Sequence, residues 1–266
     1  MLFTLNLQES SDGRMSDKSG DHLEDLSIWD GNIAAGYDTS GVGMFADKIL
    51  TPTVSFLEQL VQNGHALEFA IGTGRVAIPL YERGIRVAGI DYSAAMVEVL
   101  HGKIGQDAIP VAIGDMTCTR VEGDFSLVYL VYNGLSNLLT QQAQVECMQN
   151  AARHLPVGGR FVVEMWIPEL RKLPPGQNAV VWEARPGYIG LDTYDVPNQL
   201  VTSHHLTYDQ GGKGHLYRSR HRYVWPSEQD LMASLAGFDL EDRFADWNRA
   251  EFDADATSQI AVYVKR

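Results

Sequence analysis

An α/β fold built on a doubly wound, mostly parallel sheet is predicted by three features of this sequence. Short apolar runs alternate with helical stretches between residues 64 and 170, and such alternation places parallel strands in a layer covered by helices on both faces. Phe125 to Val131 is apolar throughout, as a strand buried on both faces should be. A glycine turn, Gly72-Thr73-Gly74, joins the first of these strands to a helix, where an open sheet of this kind forms its ligand crevice.

Taken in order, residues 1 to 24 read as a flexible tail rich in Ser, Asp and Gly. Leu26 to Tyr37 reads as a short amphipathic helix, because Trp29, Ile33 and Tyr37 share one face. The run Thr-Ser-Gly-Val-Gly after Asp38 breaks it. A second helix is expected from Thr51 as N-cap, with Pro52 at the first helical position, to Gly64. Then come a strand (Ala66 to Ile71), a helix (Arg75 to Arg83), a strand (Ile85 to Ile90), a helix capped by Ser93, and a short strand (Val111 to Ile113). Phe125 to Val131 is the next strand, Thr140 opens a helix to His154, and Phe161 to Met165 is a fifth strand.

After Trp166 the texture changes. The runs Ala179 to Ala184, Leu200 to Tyr208 and His215 to Trp225 have no helical period and read as antiparallel strands inserted as a cap. A helix from Ser227 to Ala236 and two strands, Phe238 to Phe244 and Gln259 to Lys265, follow. The expected organisation is a tail (1–24), a core with an N-terminal lid helix (25–170), an inserted β cap on the substrate side (171–226), and a C-terminal helix and strands that complete the core sheet (227–266).

Composition narrows the function classes. A net charge of −13 and the lack of a Lys/Arg cluster weigh against a nucleic-acid partner, whose phosphates need basic patches. Two cysteines, Cys118 and Cys147, cannot make a disulfide framework or a cysteine metal site, and both are expected to be small buried residues. No metal is expected. No stretch is long enough to span a membrane, so a cytoplasmic protein with a small-molecule substrate is expected, and a homo-oligomer is compatible with that.

The chemistry is concentrated at strand ends. Gly72-x-Gly74-x-x-Ala77 formally fits a dinucleotide fingerprint, and a bare βα turn without ligand is the plain alternative. Two features favour S-adenosylmethionine instead. Glu68, four residues before Gly72, is unwelcome beside a pyrophosphate but suits the ammonium of a methionine moiety. Asp91, Asp115 and Asn133 also follow successive strands, where Asp91 would accept from ribose hydroxyls and Asp115 from an adenine amino group, with Tyr92 and Met96 sandwiching the ring.

Residues 64 to 170 resemble a class I S-adenosylmethionine-dependent methyltransferase. Leu67-Glu-Phe-Ala-Ile-Gly-Thr-Gly74 is similar to the family's first motif, Ile90-Asp91 to its second and Ile113-Gly-Asp115-Met to its third. Ala70 stands where that first motif has glycine. The resemblance implies a Rossmann-like seven-stranded sheet with an antiparallel last strand. It also implies a cofactor site of Glu68, Ala70, Gly72, Thr73, Gly74, Arg75, Asp91, Tyr92, Met96, Gly114, Asp115, Met116 and Tyr132, closed by Trp29 and Tyr37. The N-terminal helix, the Val163-Glu-Met-Trp-Ile-Pro-Glu169 segment and the β cap further resemble actinobacterial N-methyltransferases of natural products, the lincosamide (lincomycin and celesticetin type) enzymes among them.

Methyl transfer needs alignment and exclusion of water more than it needs acid–base chemistry. Tyr37, Asn133 and Asn137 are the expected catalytic residues, and Asn137, Glu164, Trp166 and His204 the expected acceptor contacts. N-methylation of an amine in antibiotic biosynthesis is favoured by the lack of an obvious base. An O-methyltransferase with His204 or His205 as base, and a cofactor-binding domain without catalysis, are the alternatives.

Overall fold

The structure is a computed structural model that describes residues 37–38, 43–62, 64–209 and 211–266. Trp29 and the expected helix before Tyr37 lie outside the described residues, and Tyr37 itself is not helical.

Helix α1 (Asp47–Val61) leads into β1 (His65–Phe69), α2 (Ala77–Glu82), β2 (Val87–Asp91), α3 (Ala94–Ile104), β3 (Val111–Ile113), β4 (Phe125–Leu130), α4 (Gln141–His154) and β5 (Arg160–Trp166). Four strands then run consecutively: β6 (Ala179–Arg185), β7 (Tyr188–Asp195), β8 (Leu200–Tyr208) and β9 (Gly214–Arg222). Helix α5 (Pro226–Leu235), β10 (Phe238–Phe244) and β11 (Ser258–Lys265) close the chain. The first sheet has seven strands in the order β10-β11-β5-β4-β1-β2-β3. Strand β11 runs antiparallel to β5 and β10, and the pairs from β5 through β4, β1 and β2 to β3 are parallel. This is the predicted Rossmann-like architecture with its antiparallel last strand.

Side chains on the two faces of this sheet feed two separate cores. Leu67 and Phe69 of β1 pack with Cys147 and Met148 of α4 and Met232 of α5. Ala66 of β1 and Leu127 of β4 pack with Leu57 of α1, Leu80 of α2 and Leu100 of α3. Two caps read from sequence form: the Ser93 hydroxyl accepts from Met96 N–H, and the Thr140 hydroxyl from Ala143 N–H. Three local readings need correction. Helix α1 starts at Asp47, so Pro52 sits inside it; the Thr53 hydroxyl donates to the Ile49 carbonyl beside it. Cys118 is exposed, and only Cys147 is buried. The cap has four strands and not the three expected, since Tyr188–Asp195 also forms one.

The second sheet is an antiparallel meander, β6-β7-β8-β9. Gly190 in the middle of β7 serves packing: a Cβ there would meet the Trp182 ring of β6 at 2.4 Å. Buried Arg222, at the end of β9, fixes this sheet to the core. Its guanidinium pairs with Glu228 of α5 at 2.7 Å and donates to Gln144 Oε1 of α4 at 2.5 Å. The Gln144 amide donates back to the Arg222 carbonyl at 3.3 Å. Burial opposes ionisation of Glu228, but hydrogen bonds from Gln199, Arg222 and Gln141 outweigh it and hold the carboxyl below its usual range.

Removing one partner of a buried ion pair strands the other. Arg222→Ala should therefore cost about 3–5 kcal/mol in chemical denaturation at neutral pH. A cost under about 1 kcal/mol would mean that the pair does not anchor the second sheet.

Candidate active site

The chain leaves β1 and β4 in opposite directions, because β1 lies between β2 and β4. Such a switch point opens a crevice at the carboxyl ends of the strands. Here it holds a cavity of about 590 Å³, with the second sheet forming the opposite wall. Cofactor sites commonly span about 300–1,000 Å³.

The glycine loop turns through left-handed backbone at Ala70 (φ 52), Gly72 (φ 57) and Gly74 (φ 81). At Ala70 the Cβ makes that conformation cost about 1 kcal/mol relative to glycine. Gly72 borders the cavity, and a Cβ there would find only the Ala70 carbonyl at 4.0 Å. Gly74 does not line the cavity; a Cβ there would meet Ile78 and Leu100 at 3.0 Å, so this glycine serves helix packing. Asp91 ties the loop to β2. Its Oδ2 accepts Gly72 N–H at 2.6 Å and its Oδ1 accepts Ser93 N–H at 2.8 Å. Burial raises the Asp91 pKa, and these same backbone donors oppose the rise. A carboxylate has about four acceptor positions, and the backbone N–H groups of Ser93, Gly72 and Tyr92 use three of them.

Glu68 lines the cavity floor and is only 3% exposed. The Tyr129 hydroxyl donates to its Oε2 at 2.9 Å. Burial pushes its pKa up to about 8, against the Tyr129 hydrogen bond and the Arg75 charge, which lower it. A pKa in that range favours the protonated carboxyl at neutral pH. A buried acid of this kind gains a partner when a cationic group enters the cavity.

The connection after β4 is strained: Tyr132 (φ 50) and Asn133 (φ 63) are both left-handed, and both border the cavity. Glu164 of β5 holds this turn, accepting Tyr132 N–H on Oε2 at 2.6 Å and the Trp247 indole N–H on Oε1 at 3.0 Å. It does not line the cavity, which corrects its reading as an acceptor contact. Asn133 Oδ1 accepts Trp166 N–H at 2.7 Å, so this side chain also fastens β4 to β5.

The second sheet presents Asp192 and Tyr194 of β7, Val201 and Ser203 of β8 and His221 of β9 to the cavity. Register explains the selection, since Asp192 pairs with Ser203, and Tyr194 with Val201, which pairs in turn with His221. Neighbours in a strand face oppositely, and His204 is accordingly on the other face. It contacts Thr193 Oγ1 at 3.0 Å and Arg218 Nε at 3.3 Å and does not line the cavity, which corrects its reading as an acceptor contact. His205 shares the cavity-facing side but packs farther out, against Trp182, Tyr188 and Tyr217. The histidine that reaches the cavity is His221, with Nδ1 3.3 Å from Ser136 Oγ and Nε2 3.0 Å from Ser219 Oγ. Burial first, then Asp192 and Glu169, push the Tyr194 phenol up to about 12, so both carboxylates act on that ring.

Among the residues predicted from sequence, Tyr37, Glu68, Ala70, Gly72, Thr73, Arg75, Asp91, Tyr92, Met96, Gly114, Asp115, Met116, Tyr132, Asn133, Asn137 and Trp166 all line this one cavity. Sequence reasoning missed Ser136, Glu169, Asp192, Tyr194, Ser203 and His221. Alternation along β8 gives Val201 and Ser203 a common face, but which face needed the long-range pairing.

A seven-stranded sheet of this order, with an acidic residue at the end of β2 tied to a glycine loop after β1, defines a nucleoside-binding α/β enzyme class. A profile of the methyltransferase domain matches residues 66–159. The CcbJ methyltransferase from Streptomyces caelestis is 30% identical and superposes with a TM-score of 0.79, over 91% of this chain and 99% of that one. The chain belongs to the S-adenosylmethionine-dependent methyltransferases. Two curated relatives match over shorter spans. YqeM of Bacillus subtilis (strain 168) is 31% identical over 40% of this chain, and the cypemycin N-terminal methyltransferase of Streptomyces sp is 24% identical over 55%. The chain spans 44% and 59% of the lengths of these two.

Glu68 gives opposite effects on stability and binding. Its folded pKa of about 8 lies above its ordinary value of 4.5. The folded state therefore keeps a proton that the unfolded chain releases, and stability is lost as pH rises from 4.5 through about 8. Glu68→Gln should raise the melting temperature of the ligand-free protein at pH 8.5. The same change should weaken S-adenosylhomocysteine binding about tenfold or more, the scale of a charge-assisted hydrogen bond. Unchanged affinity by calorimetry would separate Glu68 from the ligand.

Proposed function

We propose that this protein transfers the methyl group of S-adenosylmethionine to an amine of a small molecule, in antibiotic biosynthesis of the kind that includes the lincosamides. The observation that carries this reading is the cavity lining that the second sheet and the segment after β5 supply, where Asp192 joins Tyr194, Trp166 and His221, and Glu169 is paired with Lys172 at 2.6 Å. A carboxylate among aromatic faces suits a cationic amine. The cypemycin N-terminal methyltransferase, one of the sequence relatives, is named for an amine acceptor and supports the same choice.

The residues of the core half fit the cofactor. Glu68 would take its ammonium, Asp91 a ribose hydroxyl and Asp115 its adenine amino group, with Tyr92 and Met96 on the two faces of the adenine. Gly72 and Thr73, with Ala70, would let its chain approach the backbone, and Gly114, Met116, Tyr132 and Tyr37 would complete the wall. When bound, it supplies a methyl group on a sulfonium, open to in-line displacement. Asn133 and Asn137 sit beside this region and would orient the acceptor, while Trp166 and Tyr194 exclude water from it. The amine would be drawn in as an ammonium by Asp192 and would give its proton to solvent water before transfer, which leaves the nitrogen lone pair free. Alignment of the reacting groups is where the chain contributes most, on the order of 7 kcal/mol in favourable cases.

A second reading, O-methylation, is favoured by one observation: His221 places a base within the cavity. Labelled cofactor offered to paired N-demethyl and O-demethyl natural products separates the two. For the amine reading, label should enter the N-demethyl compounds. The rate should rise with pH through the pKa of the acceptor amine, and His221→Ala should lose less than about 10²-fold in turnover, the lower bound for a general base. Labelling of O-demethyl compounds alone, with a larger loss in His221→Ala, would overturn it.

A further inference from the structure

Three groups close a small ring at the rim of the cofactor half. The Thr73 hydroxyl, on a residue only 1% exposed, donates to Asp38 Oδ1 at 2.6 Å. Asp38 Oδ2 pairs with the Lys103 ammonium of α3. Lys103 Nζ also donates to the Thr73 carbonyl at 2.7 Å. The ring thus joins three distant parts of the chain: the residue after Tyr37, the glycine loop and the last turn of α3. Tyr37 lines the cavity, and burial first, then Tyr132, push its phenol up to about 12. A second cation also ties nearby chain to the loop: Arg75 Nη1 donates to the Met44 carbonyl at 3.2 Å, with its guanidinium 5.3 Å from the centre of the Tyr132 ring.

We infer that Asp38 is a positioning residue whose bonds to Lys103 and Thr73 hold Tyr37 against the cofactor cavity, so that opening of this latch sets how fast spent cofactor leaves. The inference rests on the cofactor reading above. The chemistry of the two contacts differs in a useful way. The Asp38–Lys103 pair is about one-third exposed on both sides, 33% and 34%, and such pairs are individually weak and screened by salt. It therefore opens readily. The Thr73 hydroxyl is buried and needs an acceptor, so it draws Asp38 back after each opening. Neither residue need touch the reacting atoms for the latch to work.

The test is the dissociation rate of S-adenosylhomocysteine, measured by stopped-flow competition on the full chain, with thermal melting to confirm that each variant folds. Lys103→Met and Asp38→Asn each remove the charge pair while keeping chain volume, and each should speed release roughly two- to fivefold. The double variant should be no faster than the faster single one, because both remove the same interaction. Asp38→Ala also takes the acceptor from Thr73 and should be faster still, about tenfold over the natural chain. Raising salt from 0.05 to about 0.5 M should speed release in the natural chain and leave Lys103→Met nearly unaffected. Unchanged release rates with normal binding, or effects that simply add in the double variant, would overturn the latch alone. Failure of the natural chain to bind S-adenosylhomocysteine would overturn the cofactor reading and the latch with it.

Discussion

Asp91 ties together the pieces on which the cavity depends. Its two oxygens accept the backbone N–H groups of Gly72 and Ser93, so one carboxylate joins the loop after β1 to the cap of α3. Those donors oppose the rise that burial imposes on its pKa. The loop itself contains three left-handed residues within five positions. A backbone so constrained persists only where its surroundings over-determine it, and Asp91 is the polar part of that surrounding. The apolar part is the packing of Gly74 against Leu100 and Ile78. Fixing this loop places Glu68 at the floor and leaves the cavity side of Gly72 open.

A parallel device secures the other half. The left-handed pair Tyr132 and Asn133 is held by Glu164 and by the Asn133–Trp166 bond, which knit the ends of β4 and β5. The turn that follows carries Ser136, which touches His221 of the second sheet. One residue beyond His221, Arg222 faces the other way into a buried network with Gln144, Gln199 and Glu228. Strand alternation thus makes one short segment both anchor and wall: Arg222 fixes the sheet and His221 enters the cavity.

The core sheet was legible in the sequence because its signals are local. Apolar runs, the Ser93 and Thr140 caps and the glycine loop each act within a few residues. The lining that the core sheet supplies followed, since strand ends in an open parallel sheet face the crevice. The lining that the second sheet supplies was not legible for a physical reason. Tyr188–Asp195 carries a glycine at its centre, Gly190, whose purpose is to seat Trp182 of the neighbouring strand. Without the partner strand that glycine reads as a turn, and Asp192 and Tyr194 are lost with it. His204, His205 and His221 are equally plausible from alternation alone, and only the pairing of β8 with β9 and the contact to Ser136 sort them. Glu164 misled in the opposite sense, since its position at a strand end resembled that of a ligand residue, while its oxygens are taken by Tyr132 and Trp247. Pro52 likewise suggested a helix start, although α1 accommodates it in its interior.

The charge distribution gives the proposed amine chemistry a direction. Methyl transfer to a neutral amine carries one positive charge from sulfur to nitrogen. On the proposed reading, Asp192 is the carboxylate of the second sheet that would face the nitrogen as it gains that charge. Fixed charges aimed at the site where charge develops stabilise a transition state more than a ground state. Glu68 comes from β1 of the core sheet, and burial raises its pKa to about 8. It would engage the ammonium of the cofactor, which keeps its charge throughout, and leave the migrating charge to Asp192. With an alcohol as acceptor the positive charge would end on a proton that must go to a base, and Asp192 would have no lasting product cation to face. Asp192 is thus better matched to a product that stays positive, which is what a methylated amine does.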